Sequence, residues 1–258
     1  MGIVYFLIAI TATTVGAITG ISGGVIMRPA IDLLGGLDAA SGSVISSVAV
    51  FCMTTVSVGK RMHQKAPLNS KISIPLACGA LAGGSIGHFL LSHVVARVSN
   101  NHVTIMQNAV LAFVIACTFL YMLNRSKIAS LDLAGIAPAV MAGIFLGTQA
   151  AFLGIGGGPI NVAVIIFLFG LSIKAAATCS LITIMAAQAS NIISIHLGNG
   201  FGAYDLSMLA PLAIGAVAGG FLGASVSKRL SDNRTDLMFN GVLIVVFAIS
   251  VINVVRAV

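Results

Sequence analysis

Long apolar runs separated by short polar connections dominate this chain. The runs cover residues 2–19, 23–36, 40–59, 71–95 and 102–123, then 131–153, 157–170, 174–197, 204–227 and 236–257. Most have the roughly 18 to 25 residues that a helix needs to cross a hydrocarbon core about 30 Å thick. Segments 23–36 and 157–170 are too short to span comfortably. They are half-helices, re-entrant hairpins or tilted short spans, and the number of crossings is eight to ten accordingly.

Each short segment follows a glycine-rich break, Gly20-Ile21-Ser22-Gly23-Gly24 in one case and Gly154-Ile155-Gly156-Gly157-Gly158 in the other. Setting Gly20 on Gly154 also aligns Leu37 with Leu171 and Ser46 with Ser180. Downstream, Pro75-Leu76-Ala77 with Gly79, Gly83, Gly84 and Gly87 reappears as Pro211-Leu212-Ala213 with Gly215, Gly219, Gly220 and Gly223. The chain is therefore read as one transmembrane domain, 1–258, duplicated internally as residues 1–127 and 128–258. The expected fold class is all-α and polytopic, with two homologous repeats of four to five helical segments and glycine-broken helices at the centre. Interrupted hydrophobic segments at matching places in two halves point to the binding site of a secondary transporter.

Composition narrows the class. Hydrophobic residues make up 58% and charged residues 7%, with a mean hydropathy of +1.10, far from the roughly 25% charged residues of soluble domains. All six acids are aspartate, so paired-carboxylate catalysis is poorly supplied. No GxSxG, HExxH or Walker motif is present, and no cofactor is expected. The four cysteines sit in apolar runs without metal-ligand spacing and are read as small buried hydrophobes. The +7 formal charge suggests orientation in a membrane and not nucleic-acid binding, because most Lys and Arg lie between spans. Residues 1–27 lack Lys and Arg, and their apolar character continues past any cleavage point, so no cleaved signal peptide is read.

The distribution of these charges bears on how the halves are arranged. Lys60-Arg61-Met62-His63-Gln64-Lys65 reads as a basic loop, whereas its counterpart His196-Leu197-Gly198-Asn199-Gly200-Phe201 has no Lys or Arg. Conversely, the loop with Lys228, Arg229 and Arg234 is more basic than its counterpart with Arg97, and Arg125 and Lys127 join the basic side. Equivalent loops then face opposite sides, which favours inverted repeats over parallel ones.

Glycine suits a break because it accepts positive φ and lets a ligand approach the main chain. If helices start at Val25 and Pro159, then Gly23, Gly24, Gly156, Gly157 and Gly158 present free amides at dipole-positive ends, a site for an anion. Arg28, four residues past Gly24, places a cation where few polar groups surround it and is expected to bind the anion, and Asp32 stands one turn further as its counter-ion or as a protonatable switch. Asn161, Ser46 and Ser180 supply directional hydrogen bonds, with Gln149, Gln188, Thr178 and Thr183 as secondary candidates. His88, inside a span, is the histidine best placed to carry a proton. The competing structural readings are glycines that only permit a kink, an Arg28–Asp32 pair that only holds helices together, and hydroxyls that bond back to their own helices.

The paired motifs Gly20-Ile21-Ser22-Gly23-Gly24-Val25-Ile26-Met27-Arg28-Pro29 and Gly154-Ile155-Gly156-Gly157-Gly158-Pro159-Ile160-Asn161 resemble the signature of the TauE/SafE sulfite exporter family. Ser22 departs from it, standing where the family pattern more often has a third glycine. The resemblance spans essentially the whole chain. It implies a multi-pass permease of a bacterial or archaeal cytoplasmic (inner) membrane that moves sulfite, sulfoacetate, thiosulfate or a related sulfur-containing anion. The residues themselves support the narrower expectation of a small anionic substrate. A lipid bilayer around the chain, proton coupling through Asp32 or His88 and a homodimer are the further partnerships considered, the coupling ion and the oligomeric state being left open by the sequence. An anion channel and a non-transporting membrane assembly subunit are the rival classes.

Overall fold

A computed structural model describes residues 2–34, 37–198 and 200–257. The expected extension of the second segment through residues 35 and 36, and Asn199 in the loop after residue 197, lie outside the described residues. Ten α-helices are present among them and no strand: α1 Gly2–Thr19, α2 Gly24–Leu34, α3 Ala39–His63, α4 Ser70–Val95, α5 Asn100–Asn124, α6 Ile136–Phe152, α7 Pro159–Phe169, α8 Ile173–Leu197, α9 Leu209–Arg229 and α10 Asp232–Ala257. A 3-10 turn at Phe201–Ala203 precedes α9. Seven of the described helices are long and apolar enough to cross a membrane. Large apolar side chains such as Ile74, Phe113, Leu120, Ile214 and Leu237 cover their outer faces, as lipid-facing surface requires.

The glycine ladders fix how the helices run. Gly79, Gly83 and Gly87 of α4 lie against Val140, Ile144 and Thr148 of α6 in that order, so the two helices are parallel. In the other half Gly215, Gly219 and Gly223 of α9 lie against Phe6, Ile10 and Thr14 of α1, again parallel. A Cβ on Gly83 would stand 2.3 Å from the Ile144 carbonyl oxygen, closer than any side chain tolerates. Small residues one turn apart let these backbones approach, the main route to association where lipid removes a hydrophobic drive.

Other pairings complete the directions. Met53 meets Gly220 and Lys60 bonds Ser225, so α3 runs with α9. Ser73 bonds Cys179 and Ser85 bonds Ser190, so α8 runs with α4. Asn191 bonds Ser47 while Arg61 bonds Thr178, so α3 and α8 are antiparallel. Thus α1, α3 and α9 run one way and α4, α6 and α8 the other. The pairs Asn108–Asn253 and Arg125–Asp236 make α5 and α10 antiparallel too. Because α1 and α3 share a direction, α2 returns partway between them, and α7 does the same between α6 and α8.

Several boundaries correct the sequence reading, among them that of α6, which starts at Ile136 and not at 131. Helix α3 continues to His63, so Lys60 and Arg61 are helical rather than part of a loop, and Arg61 is only 4% exposed. The segment expected to start at 204 starts as a helix at Leu209, after the 3-10 turn.

Gly83→Leu should disrupt the α4–α6 seam and lower stability by about 1–3 kcal/mol or more, since the neighbour is backbone that cannot rotate away. Gly59→Ala, with open space around its Cβ position, should stay within about 0.5 kcal/mol of the parent. Thermal unfolding of the detergent-purified proteins reads both.

Candidate functional site

The two breaks meet. The Ser22 amide donates to the Gly157 carbonyl at 3.3 Å, and the Ser22 hydroxyl donates to the Ile155 carbonyl. A Cβ on Gly24 would lie 2.2 Å from the Ile155 oxygen, so the two interruptions abut directly. Val50 of α3 packs on both Gly24 and Gly156, and Ile184 of α8 packs on Gly157. Direct backbone contact and the Val50 and Ile184 side chains thus fill the space beside these glycines.

The breaks differ in backbone shape. Gly154, Gly156 and Gly157 have φ of +63, +74 and +101°, whereas in the first break only Gly20, at +79°, has a positive value. Ser22 occupies the position of Gly156 but keeps a conformation open to any residue, which is why a side chain is tolerated there. Its hydroxyl then serves a carbonyl of the opposite break. Among the described residues, the amides of Gly23, Gly24, Gly156, Gly157 and Gly158 make no hydrogen bond. Those of Gly24 and Gly158 stand at the N-terminal ends of α2 and α7, where free donors and the positive dipole end coincide.

Around the second break lies a group of buried polar side chains. The Asn161 Nδ2 atom sits 3.2 Å, and the Gln149 Nε2 atom 3.7 Å, from the Cβ positions of Gly157 and Gly158 respectively. Ser43 lies against Gly154. Gln188 is one turn beyond Ile184, and Ser46 one turn before Val50. Asn161, Gln188 and Ser46 are 1%, 0% and 0% exposed. The side-chain polar atoms of Ser43, Ser46, Gln149, Asn161 and Gln188 make no hydrogen bond among the described residues. Burying such a group unsatisfied costs about 1–3 kcal/mol, so five together call for a ligand able to use them.

The other sequence candidates divide. Ser180 donates to the Gly20 carbonyl at 2.7 Å, which stabilises the first break and occupies its proton. Thr178 and Thr183 donate to Lys174 and Cys179 of their own helix. Arg28 is buried and pairs with Asp32 at 3.0 Å; its guanidinium lies against Gly42 of α3. Asn108 of α5 donates to Asp32, and Asn253 of α10 donates to both Asn108 and the Pro29 carbonyl. Arg28 and Asp32 thus join α2 to α3, α5 and α10, a turn or more along α2 from the break. His88 lines a cavity of about 230 Å³ with Ser43, Asn191 and Tyr204, on the side where α3 begins. Beside it the Ser207 amide holds the exposed Asp205 carboxyl below its ordinary range.

The sequence offered Gln149 and Gln188 only as secondary candidates and did not single out Ser43, whereas the structure leaves the side-chain polar atoms of all three buried without hydrogen bonds, Gln149 and Ser43 directly against the second break. Arg61 was hidden inside a basic run. Its guanidinium caps the end of α1, taking the Ala17 carbonyl at 2.6 Å, and also bonds Thr178 and Ser227.

A family model described as Sulfite exporter TauE/SafE matches residues 5–250. That is nearly the whole chain, and the protein belongs to this family. Its members are membrane transporters and not enzymes, so the chain is a multi-pass membrane transporter. No curated protein and no solved structure matches.

Asp32→Asn should remove the counter-charge of a buried cation and cost about 3–5 kcal/mol. Adding Arg28→Met should restore most of that loss, as a double-mutant cycle on unfolding temperatures reports.

Proposed function

We propose that this family member is a secondary transporter of a small anion, bound where the two glycine breaks face each other. The observation that carries this is the set of unsatisfied polar groups there: the glycine amides, the side-chain amides of Asn161, Gln149 and Gln188 with both their nitrogen and oxygen atoms unpartnered, and the hydroxyls of Ser46 and Ser43. Each of those side chains can donate, none carries a negative charge, and free main-chain N–H groups stand at two helix starts. Such a shell favours a solute with several acceptor oxygens and no proton to give up. A sulfur oxyanion such as sulfite, sulfoacetate or thiosulfate has that chemistry, in keeping with the family's description. Neutral donors hold the anion without the strong Coulomb grip that would prevent its release.

The same reading takes 1–127 and 128–258 as inverted repeats. Support comes from the helix directions, since α1 opposes α6, α3 opposes α8, α4 opposes α9 and α5 opposes α10. Lys60, Arg61, Lys65, Lys71, Arg125, Lys127, Lys174, Lys228, Arg229 and Arg234 all fall at the end where α3 and α9 finish, leaving only Arg28, Arg97 and Arg256 elsewhere. By the positive-inside rule that end is cytoplasmic, in a bacterial or archaeal inner membrane. The abutting breaks form the barrier, and transport proceeds as one repeat rocks against the other so that Gly24 and Ile155 part. Proton coupling belongs to Asp32, through its ion pair, or to His88, in the cavity on the opposite side. Association as a homodimer fits the exposed apolar surface.

Flux of labelled sulfite into proteoliposomes should saturate in the parent protein. Asn161→Ala and Gln188→Leu should each weaken apparent affinity roughly 10- to 100-fold, the worth of one hydrogen bond to a charged partner at about 1.5–3 kcal/mol. Loss of flux in neither variant would place the site elsewhere.

A further inference from the structure

The relation between the halves also relates two cavities. The first, at the start of α3, is lined by Ala40, His88, Leu91, Ser92 and Ile195 among others. With α3 laid on α8, each 25 residues long, and Pro75 laid on Pro211, these positions correspond to Lys174, Ala224, Ser227, Lys228 and Arg61. All five of those line a second cavity, of about 160 Å³, at the opposite end of α3. One is therefore the counterpart of the other, on the far side of the abutting breaks.

Shape repeats, but charge does not. The first cavity has no Lys or Arg in its lining. The second has Arg61, Lys65, Lys174 and Lys228, and no aspartate. Among the described residues no carboxylate pairs with any of the four. Lys174 donates to the Leu230 carbonyl at 2.7 Å. Arg61 is 4% exposed, bonded only to neutral oxygens, and its Nε makes no hydrogen bond. The end of the α1 dipole offsets part of that charge, no more than about half a unit. A buried, uncompensated cation is costly, and three lysines beside it raise the cost through mutual repulsion. The cavity holds roughly ten times the 15 Å³ or so that one water needs.

We propose that this basic cavity is a second anion site, a loading vestibule that takes an oxyanion group at the positively charged face before it passes to the breaks. The proposal rests on the transport reading above and adds to it a site with its own residues. Arg61 is a positioning residue here: it caps α1 and sets the local potential, while Lys65 and Lys228, both exposed at the rim, make the first contact. Lys174 stands between them and the interior. Electrostatic focusing of this kind raises the local concentration of an anion and is weakened by salt. On the other face the neutral lining releases the same anion without competition.

The test uses labelled sulfite with the full-length protein in neutral phosphatidylcholine vesicles, with the apparent KM measured separately for each face. Lys65→Gln combined with Lys228→Gln should raise the KM at the basic face roughly tenfold at low salt, the effect of about 1.4 kcal/mol, with maximal flux and the KM at the other face unchanged. An unchanged KM at the basic face, or an equal rise at both faces, overturns the proposal. Equilibrium binding in neutral detergent separates this idea from the reading it rests on. Asn161→Ala with Gln188→Leu should abolish central binding yet keep a salt-sensitive sulfite site that the two lysine substitutions remove. If that salt-sensitive site persists while the parent transports no sulfite in either direction, the vestibule stands and the transport reading falls. Phosphatidylglycerol added to the detergent gives the lipid arm: sulfite should compete with its phosphate group for the cavity. Tight phosphatidylglycerol binding that sulfite never displaces assigns the cavity to a lipid headgroup and overturns the vestibule.

Discussion

A main chain that breaks its helix inside a bilayer must find partners for the groups it frees, because lipid offers none and each unsatisfied group costs several kcal/mol. In this protein the two breaks answer that requirement with each other. Ser22 gives its amide to Gly157 and its hydroxyl to Ile155, Ser180 serves the Gly20 carbonyl, and the neighbouring spans close around them. Much of the rest follows from holding these two segments together at the centre. The helices before the breaks are clamped on the opposite half's glycine ladders, α1 on α9 and α6 on α4, so neither half is assembled by itself. The seams are made of glycine and backbone, which packs closely and leaves few side chains to unlock if one repeat moves.

The accounting at the breaks is incomplete. Among the described residues the Gly20, Ile155 and Gly157 carbonyls are bonded, several amides and the Ile21, Gly154 and Gly156 carbonyls are not, and the nearby side chains left without partners can all act as donors. Neutral donors that can turn towards a solute in a dry interior favour negative solutes with a smaller penalty when empty than a fixed charge has. Arg28 fits this picture better as a strut than as a ligand. Its charge is met by Asp32, and Asp32 in turn is tied by Asn108 to α5 and through Asn253 to α10. A change in the Asp32 charge would therefore be felt by the helices flanking α2, which is where coupling to movement has a route.

How much of this was legible beforehand depends on the kind of signal. Element positions were, because a span's length and apolarity are local properties; α1, α3, α4 and α8 begin within a residue or so of their expected starts. The breaks were legible because glycine clusters are rare in apolar runs and theirs recur. The roles of single polar residues were not, since a serine in a membrane helix has the same local sequence whether it bonds its own turn, as Thr183 does, a distant carbonyl, as Ser180 does, or nothing, as Ser46 does. Gln149 and Gln188 were equally silent: they lie on different helices, and only tertiary packing brings them to one place. Arg61 was masked by its neighbours. Four of the six residues Lys60 to Lys65 are basic or histidine, a composition that reads as a solvated loop, and helix α3 simply continues into it as far as His63.

On the proposed reading of two inverted repeats, divergence of their side chains explains why the two ends of this molecule look alike in shape and unlike in charge. The backbone relation is maintained by constraints that act on both halves equally, namely glycine contacts and break geometry, so equivalent cavities persist. Side chains at the cavity walls face no such constraint, and the pairs Ala40 with Lys174, Ser92 with Lys228 and Ile195 with Arg61 have separated completely. Orientation in the membrane alone would be served by lysines in flexible loops. It does not require Arg61 to be buried against the end of α1, where desolvation costs most. A cation kept in that place, facing a cavity that other cations share, is best accounted for by a negatively charged visitor that offsets its cost on each arrival.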